Sequence, residues 1–486
     1  MNEQFSKHEW LYWFNRLNTD EAIWRATYMP VAPVTELQSM GVEEACRRLE
    51  HAWKEIFLPG PQHIHILRNF LDQAVYFSSC AYPTIKDYIR QRSGYRRDPL
   101  SVPPIQCLTG LAGVSKSSLM KAFARMCQLD NGGKFVTEGH QLILLPVRRL
   151  GIDAQPSVQG VLKELSNPIA LGGKSMSNLN GLMTHVRDWF SATATCTLVA
   201  DEMQFFTQSS TASTKSSQLI MTLANLGTPL IFVANYSLVN KLIQRPQEEK
   251  DRLLASPIVL LPPQANDSWW VDVIKEYLAV SSECFRLDAF SHAQELHRLT
   301  AGLFRALRNL LLQAYREALR RGKSFVTMDE VRLAYRSRTF SIHRKDIEDL
   351  ASLNVSNLME KTRPDLACAF SELIKSPTSR PVTKITSDGG RLHLLSSFNA
   401  SSALVESTMS VEAKATLHDL RQVSQLPVEK RINAKVSRLP KRSPLSAQSL
   451  LEGAQLLRDT QSKPKSSSKT TEKSLEKVDG SDQNTN

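Results

Sequence analysis

Two short stretches of this chain hold the residue types that handle phosphate. In the first, Gly110, Leu111, Ala112, Gly113, Val114, Ser115, Lys116, Ser117 and Ser118 follow the apolar run 105–108. They precede a helical pattern with Leu119, Met120, Phe123 and Met126 on one face. A strand, a glycine-containing turn, a lysine and a hydroxyl residue, then a helix, are the parts of a phosphate-binding loop. The turn aims backbone N–H groups at phosphate oxygens, and the helix start adds the positive end of its dipole. There Lys116 reaches the β- and γ-phosphates of ATP, and Ser117 offers its hydroxyl to Mg²⁺. The usual pattern has glycine at the position of Ser115, so a Cβ stands where the loop is crowded. ATP binding is therefore a firmer expectation than fast hydrolysis.

The second stretch is the apolar run 197–200 ending in Asp201 and Glu202, 85 residues beyond Lys116. An acid pair at the end of a buried strand suits phosphoryl chemistry: Asp201 holds Mg²⁺ through water, and Glu202 orients or deprotonates the attacking water. Taken singly, the loop reads equally as an ordinary strand-to-helix turn and the acids as a solvated strand end. Their order and spacing together carry the reading.

The elements that must position these residues follow from periodicity. Short apolar runs at 105–108, 142–145, 197–200, 230–234 and 258–261 alternate with helical segments, which predicts a parallel sheet covered on both faces. Residues 45–56 and 64–76 have helical spacing and are separated by Pro59, Gly60 and Pro61. His63 and His65 flank Ile64 there with no third metal ligand nearby. Residues 266–338 are helical again; the best segment, 303–318, puts Leu303, Leu307, Leu310, Leu311 and Ala314 on one stripe, and the adjacent Trp269 and Trp270 read as core aromatics. The predicted organisation is a helical region at 1–100, a nucleotide-binding core at 101–264, a helical lid at 265–342, a partly linker-like region at 343–461 and a disordered tail at 462–486. Within 343–461, 375–400 reads as linker and 410–425 as one short helix.

With 486 residues and 42% hydrophobic content the chain has material for more than one core. Its net charge of +12 favours a polyanionic partner, and part of that excess lies at 429–477, where 12 Lys/Arg face 5 Asp/Glu. Seven cysteines without a CxxC pair, and no apolar run long enough to cross a bilayer, lead us to expect reduced thiols in a soluble cytoplasmic protein.

Beyond the two phosphate motifs, the chain resembles AAA+ ATPases. The strand at 230–234 ends in Asn235, 34 residues after Asp201, in the slot of the polar sensor 1 residue that touches the γ-phosphate or water. Gly302-Leu-Phe-Arg305 resembles the GxxR element of AAA+ lids, whose arginine reaches back to the nucleotide, while the nearby Arg308 reads as a solvated face. Arg252, before the last core strand, sits where these proteins place an arginine finger for a neighbouring subunit, with Arg245 as the competitor. The implied fold is an α/β AAA+ P-loop NTPase core with an α-helical lid.

Within that class the sequence is similar to the TnsC/TniB-type regulators of DNA transposition. Asp201-Glu-Met-Gln204, Gly227-Thr-Pro-Leu-Ile-Phe-Val-Ala-Asn235, Tyr88-Ile-Arg-Gln-Arg-Ser-Gly94-Tyr-Arg-Arg97-Asp-Pro99, Ser157-Val-Gln-Gly-Val-Leu-Lys163-Glu-Leu and the lid stretch 295–335 carry the resemblance, which covers about residues 85–340. It departs at Ser115 and Asn235, where the family favours Gly and Thr. The resemblance implies ATP binding with Mg²⁺, homo-oligomeric rings or filaments on double-stranded DNA, and a link between a target-selector protein and the transposase, with hydrolysis taking the assembly apart. Arg148, Arg149 and Lys163 are the candidates for contacts to the DNA backbone. Two alternatives stay open: a nucleotide-bound scaffold that does not turn over, and a helicase-loader or replication-initiator protein of the same fold.

Overall fold

The computed structural model describes residues 14–92, 105–129, 134–137, 140–152, 157–166, 178–203, 212–353 and 363–370. The stretch 94–99, Gln204, the linker at 375–400, the helix expected at 410–425 and the tail from 462 lie outside the described residues.

Seven strands are described: β1 (Ile105–Gly110), β2 (Lys134–Thr137), β3 (His140–Ile143), β4 (Val147–Gly151), β5 (Thr197–Asp201), β6 (Leu230–Ala234) and β7 (Pro257–Leu260). Five form one sheet in the order β4-β5-β6-β1-β7, and every pairing in it is parallel. Parallel neighbours require crossovers that lay helices on the faces, and the burial pattern obeys this. Along β1, β5 and β6 alternate residues enter two different cores: Leu108, Val199, Ile231 and Val233 on one side, Ile105, Cys107, Leu198, Ala200, Leu230 and Phe232 on the other. A parallel sheet covered on both faces, with a turn and a helix after β1 and a helical region after the last strand, is the α/β arrangement expected from the sequence.

One expected strand is misplaced. Of residues 142–145 only the first two lie in a strand, β3, which pairs antiparallel with β2 outside the main sheet, and the sheet strand is instead β4, of sequence VRRLG. The reason is position: β4 is an edge strand with only β5 beside it. An edge leaves Arg148 and Arg149 room to reach solvent, so a run too polar for a central strand suffices.

The N-terminal region is not a separate body. Its helices Asp20–Thr27, Val42–Glu55 and Pro61–Ala81 share one continuous hydrophobic core with the P-loop helix Lys116–Met126 and the lid helices Ser268–Ala279, Ala289–Thr300, Phe304–Arg320 and Met328–Arg336. Trp53 is fully buried there and donates its indole N–H to the carbonyl of Tyr277 at 2.8 Å. The expected stripe of Leu303, Leu307, Leu310, Leu311 and Ala314 is buried in this core. The other sheet face is covered by Val158–Leu165, Leu179–Ala192, Ala212–Ala224 and Tyr236–Ile243. Among the described residues all seven cysteines are free thiols, and no helix is long and apolar enough to cross a membrane.

Candidate nucleotide-binding site

The strand order decides which side chains meet. β6 lies between β1 and β5, so the carboxyl ends of these three strands deliver the loop after Gly110, the acid pair at 201–202 and Asn235 to one spot. Open parallel sheets bind ligands at that edge.

Lys116 is 7% exposed, and its three ammonium protons all have acceptors: the carbonyls of Gly110 and Leu111, each at 2.8 Å, and Oδ1 of Asn235 at 2.6 Å. Burial lowers its pKa to about 8, with the nearby Arg305 pushing the same way and the Glu202 carboxylate resisting. The Ser117 hydroxyl has one proton to give and two carboxylates in reach, Asp201 Oδ1 at 3.1 Å and Glu202 Oε1 at 2.9 Å. Asp201 Oδ1 also accepts the Glu202 backbone N–H at 2.9 Å. Glu202 has a left-handed backbone, φ 61°, in which its carboxylate reaches Ser117. Such strain is typical of positions held for function.

Asp201 is fully buried and its Oδ2 accepts no hydrogen bond; Arg149 Nη2 approaches it at 3.5 Å. Burial, then the neighbouring Glu202, raises the Asp201 pKa. A hard-oxygen set made of the Ser117 hydroxyl and a buried carboxylate with an unbonded oxygen fits Mg²⁺, which takes few protein ligands.

Ser115 stands at the start of the P-loop helix with φ 78°, the left-handed conformation that glycine adopts without cost. Its hydroxyl donates to the Val114 carbonyl and receives His63 Nε2 at 3.0 Å. The sequence weighed His63 only as a metal ligand; in the structure both its ring nitrogens are bonded within the protein, Nδ1 accepting the Gly60 N–H at 3.1 Å.

The cleft that these residues line has a volume of about 630 Å³. It is also lined by Trp53, Ile56 and Phe57 from the N-terminal region and by Val273, Tyr277 and Phe304 from the helices after β7. Aromatic and aliphatic walls in the same cleft as the loop suit a purine. The lid touches the loop directly: the Arg305 N–H donates to the Gly113 carbonyl at 3.3 Å, and a Cβ on Gly113 would lie 2.8 Å from that of Arg305. Arg305 and Arg308 both line the cleft, and Arg308 Nε is buried without a hydrogen-bond partner. The sequence reading took Arg308 for a solvated face. Its place one helical turn after Arg305 was the available signal.

The remaining sequence candidates lie elsewhere. Arg148 donates to the Glu164 carbonyl at 3.4 Å, beside the exposed Lys163, so these two share the β4 edge, whereas Arg149 faces Asp201. Arg252 donates to Asn225 Oδ1 at 2.9 Å in the connection that leads into the start of β6, at the opposite end of the strands from the cleft. Arg245 is held by both Glu249 oxygens, each at 2.9 Å.

No family model matches the chain, and no curated protein matches it. Solved structures do. The Aeropyrum pernix Orc1 protein in complex with DNA aligns at 15% identity over 57% of this chain and 67% of its own, with a TM-score of 0.36. Domain III of the Thermotoga maritima replication initiation protein DnaA aligns at 13% identity over 57% and 92%, with a TM-score of 0.34. The Thermotoga maritima RuvB Holliday junction branch migration motor aligns at 11% over 61% and 76%, with a TM-score of 0.30.

Proposed function

We propose that this chain is an ATP-binding, oligomeric adaptor of DNA transposition that assembles on double-stranded DNA and links a target selector to a transposase. The observation that carries the nucleotide half is the meeting of Lys116, Ser117, Asp201, Glu202 and Asn235 at one sheet edge. The resemblance of the Asp201–Gln204 and Gly227–Asn235 stretches to TnsC/TniB-type regulators supports the transposition half.

In this reading the N–H groups of residues 110–118 cradle the phosphates, with Lys116 against the β- and γ-phosphates and Arg305 closing from the lid. Ser117 and Asp201 would hold Mg²⁺, which would supply charge neutralisation at the phosphate oxygens. Glu202 takes up the attacking water's proton or orients it, and Asn235 fixes the water and the lysine relative to each other. Arg252 serves the neighbouring subunit's site. Arg148 and Lys163 contact the DNA backbone, and Arg149 tends Asp201.

Electron microscopy of the protein on double-stranded DNA, with and without ATP and Mg²⁺, tests this reading. Assemblies that need ATP, and that Glu202→Gln makes persistent, are the expected result. Assembly indifferent to ATP, or none on DNA, rules the adaptor out.

A further inference from the structure

We infer that His63 is a positioning residue for nucleotide binding: it stands in for the missing loop glycine by clamping Ser115 in the left-handed conformation that the phosphate loop requires. The inference rests on the nucleotide reading and deepens it.

A non-glycine residue at positive φ persists only where its surroundings over-determine it. Three groups do so for Ser115, whose φ is 78°. Its hydroxyl donates to the carbonyl of the preceding residue, Val114, which fixes the side chain against its own peptide. Its oxygen then has a free lone pair, and His63 Nε2 lies 3.0 Å from it. The third group is the Gly60 N–H, which donates to His63 Nδ1 at 3.1 Å and so leaves the ring proton on Nε2, pointing at Ser115. Donor and acceptor therefore alternate from Gly60 through His63 and Ser115 to Val114 without a conflict.

The ring cannot drift from this line. His63 is 2% exposed, lies 5.2 Å from Trp269 and 5.4 Å from Phe57, and is three residues into the helix Pro61–Ala81. Gly60 is required beside it, since a Cβ there would meet the Trp269 ring at 2.4 Å. The neighbouring Gln62 pins the same helical turn to the end of β7, donating to the Val259 carbonyl at 2.9 Å and accepting the Leu261 N–H at 3.1 Å. Burial holds the imidazole neutral, its pKa lowered to about 4, which keeps Nδ1 available as an acceptor. The phosphate loop is thus set by a segment about 50 residues upstream of it, and the lid residue Trp269 packs on the same imidazole.

A double-mutant cycle on the full chain tests this, with fluorescent ATP affinity as the readout and thermal melting as the check on folding. His63→Leu should weaken binding about tenfold in the natural chain and by less than about twofold in the Ser115→Gly background, because glycine needs no clamp. His63→Gln, which keeps an N–H donor, should recover part of the loss. Equal losses in both backgrounds, or no loss in either, overturns the inference. If the natural chain binds no ATP, or Lys116→Ala binds as well as it does, the nucleotide reading itself fails, and the cycle is not the cause.

Discussion

The two faces of the central sheet are built on different plans. One face is closed locally by helices that lie between the sheet's own strands in sequence, and its core runs from Ile105 to Leu253. The other joins residues from Phe14 to Ile347 in a single core, so N-terminal helices, P-loop helix and lid support one another. The cleft opens on this shared side. Binding machinery placed at a seam feels changes in any of the parts that meet there, whereas the local face can loosen without moving the loop.

The largest expected effect separates the two directly. Leu67→Ala in the N-terminal helix and Leu182→Ala on the local face each remove a fully buried side chain, and each should cost about 2–5 kcal/mol of stability. Only the first should also weaken ATP binding. Equal effects on affinity, measured by titration on folded protein, would erase the distinction.

Acidification is the next test. The His63 pKa lies near 4 in the folded chain because of burial alone, below the value of about 6.5 of an unfolded histidine. Between these values the unfolded chain binds the proton and the folded one does not, so stability is full above about pH 6.5 and is lost as pH falls towards 4, by up to about 3 kcal/mol. Melting temperatures from pH 7 to 4.5 should fall, and less so in His63→Gln. Parallel curves for the two proteins would deny His63 this part.

The smallest effect concerns the surface of the same seam. Arg316 bridges to Glu43 at 3.1 Å between the lid and the N-terminal region, but the glutamate is 66% exposed. Arg316→Ala should change stability by about 1 kcal/mol or less. A larger loss would mean that the seam is held by charge rather than by packing.

The parts of the site that are contiguous in sequence were legible there. Gly110–Ser117 and the 197–202 stretch each combine a strand, a turn and polar residues in one short run, and β6 ends where expected, before Asn235. What escaped required distance. Nothing near His63 announces Ser115, 52 residues away, as its partner. The fate of Arg149 was partly readable, since adjacent residues on a strand point to opposite faces and both members of an Arg148–Arg149 pair cannot meet one DNA surface. It was missed because VRRLG is too polar to be read as a strand until its edge position is known.

Calorimetric titration of ATP with Mg²⁺ into the natural chain and into Lys116→Ala tests the central claim most directly. The account predicts one site per chain in the natural protein and at least about a hundredfold loss in the variant, since an ammonium with three partners at 2.6–2.8 Å is removed from the loop. Binding of equal strength in both proteins would contradict it.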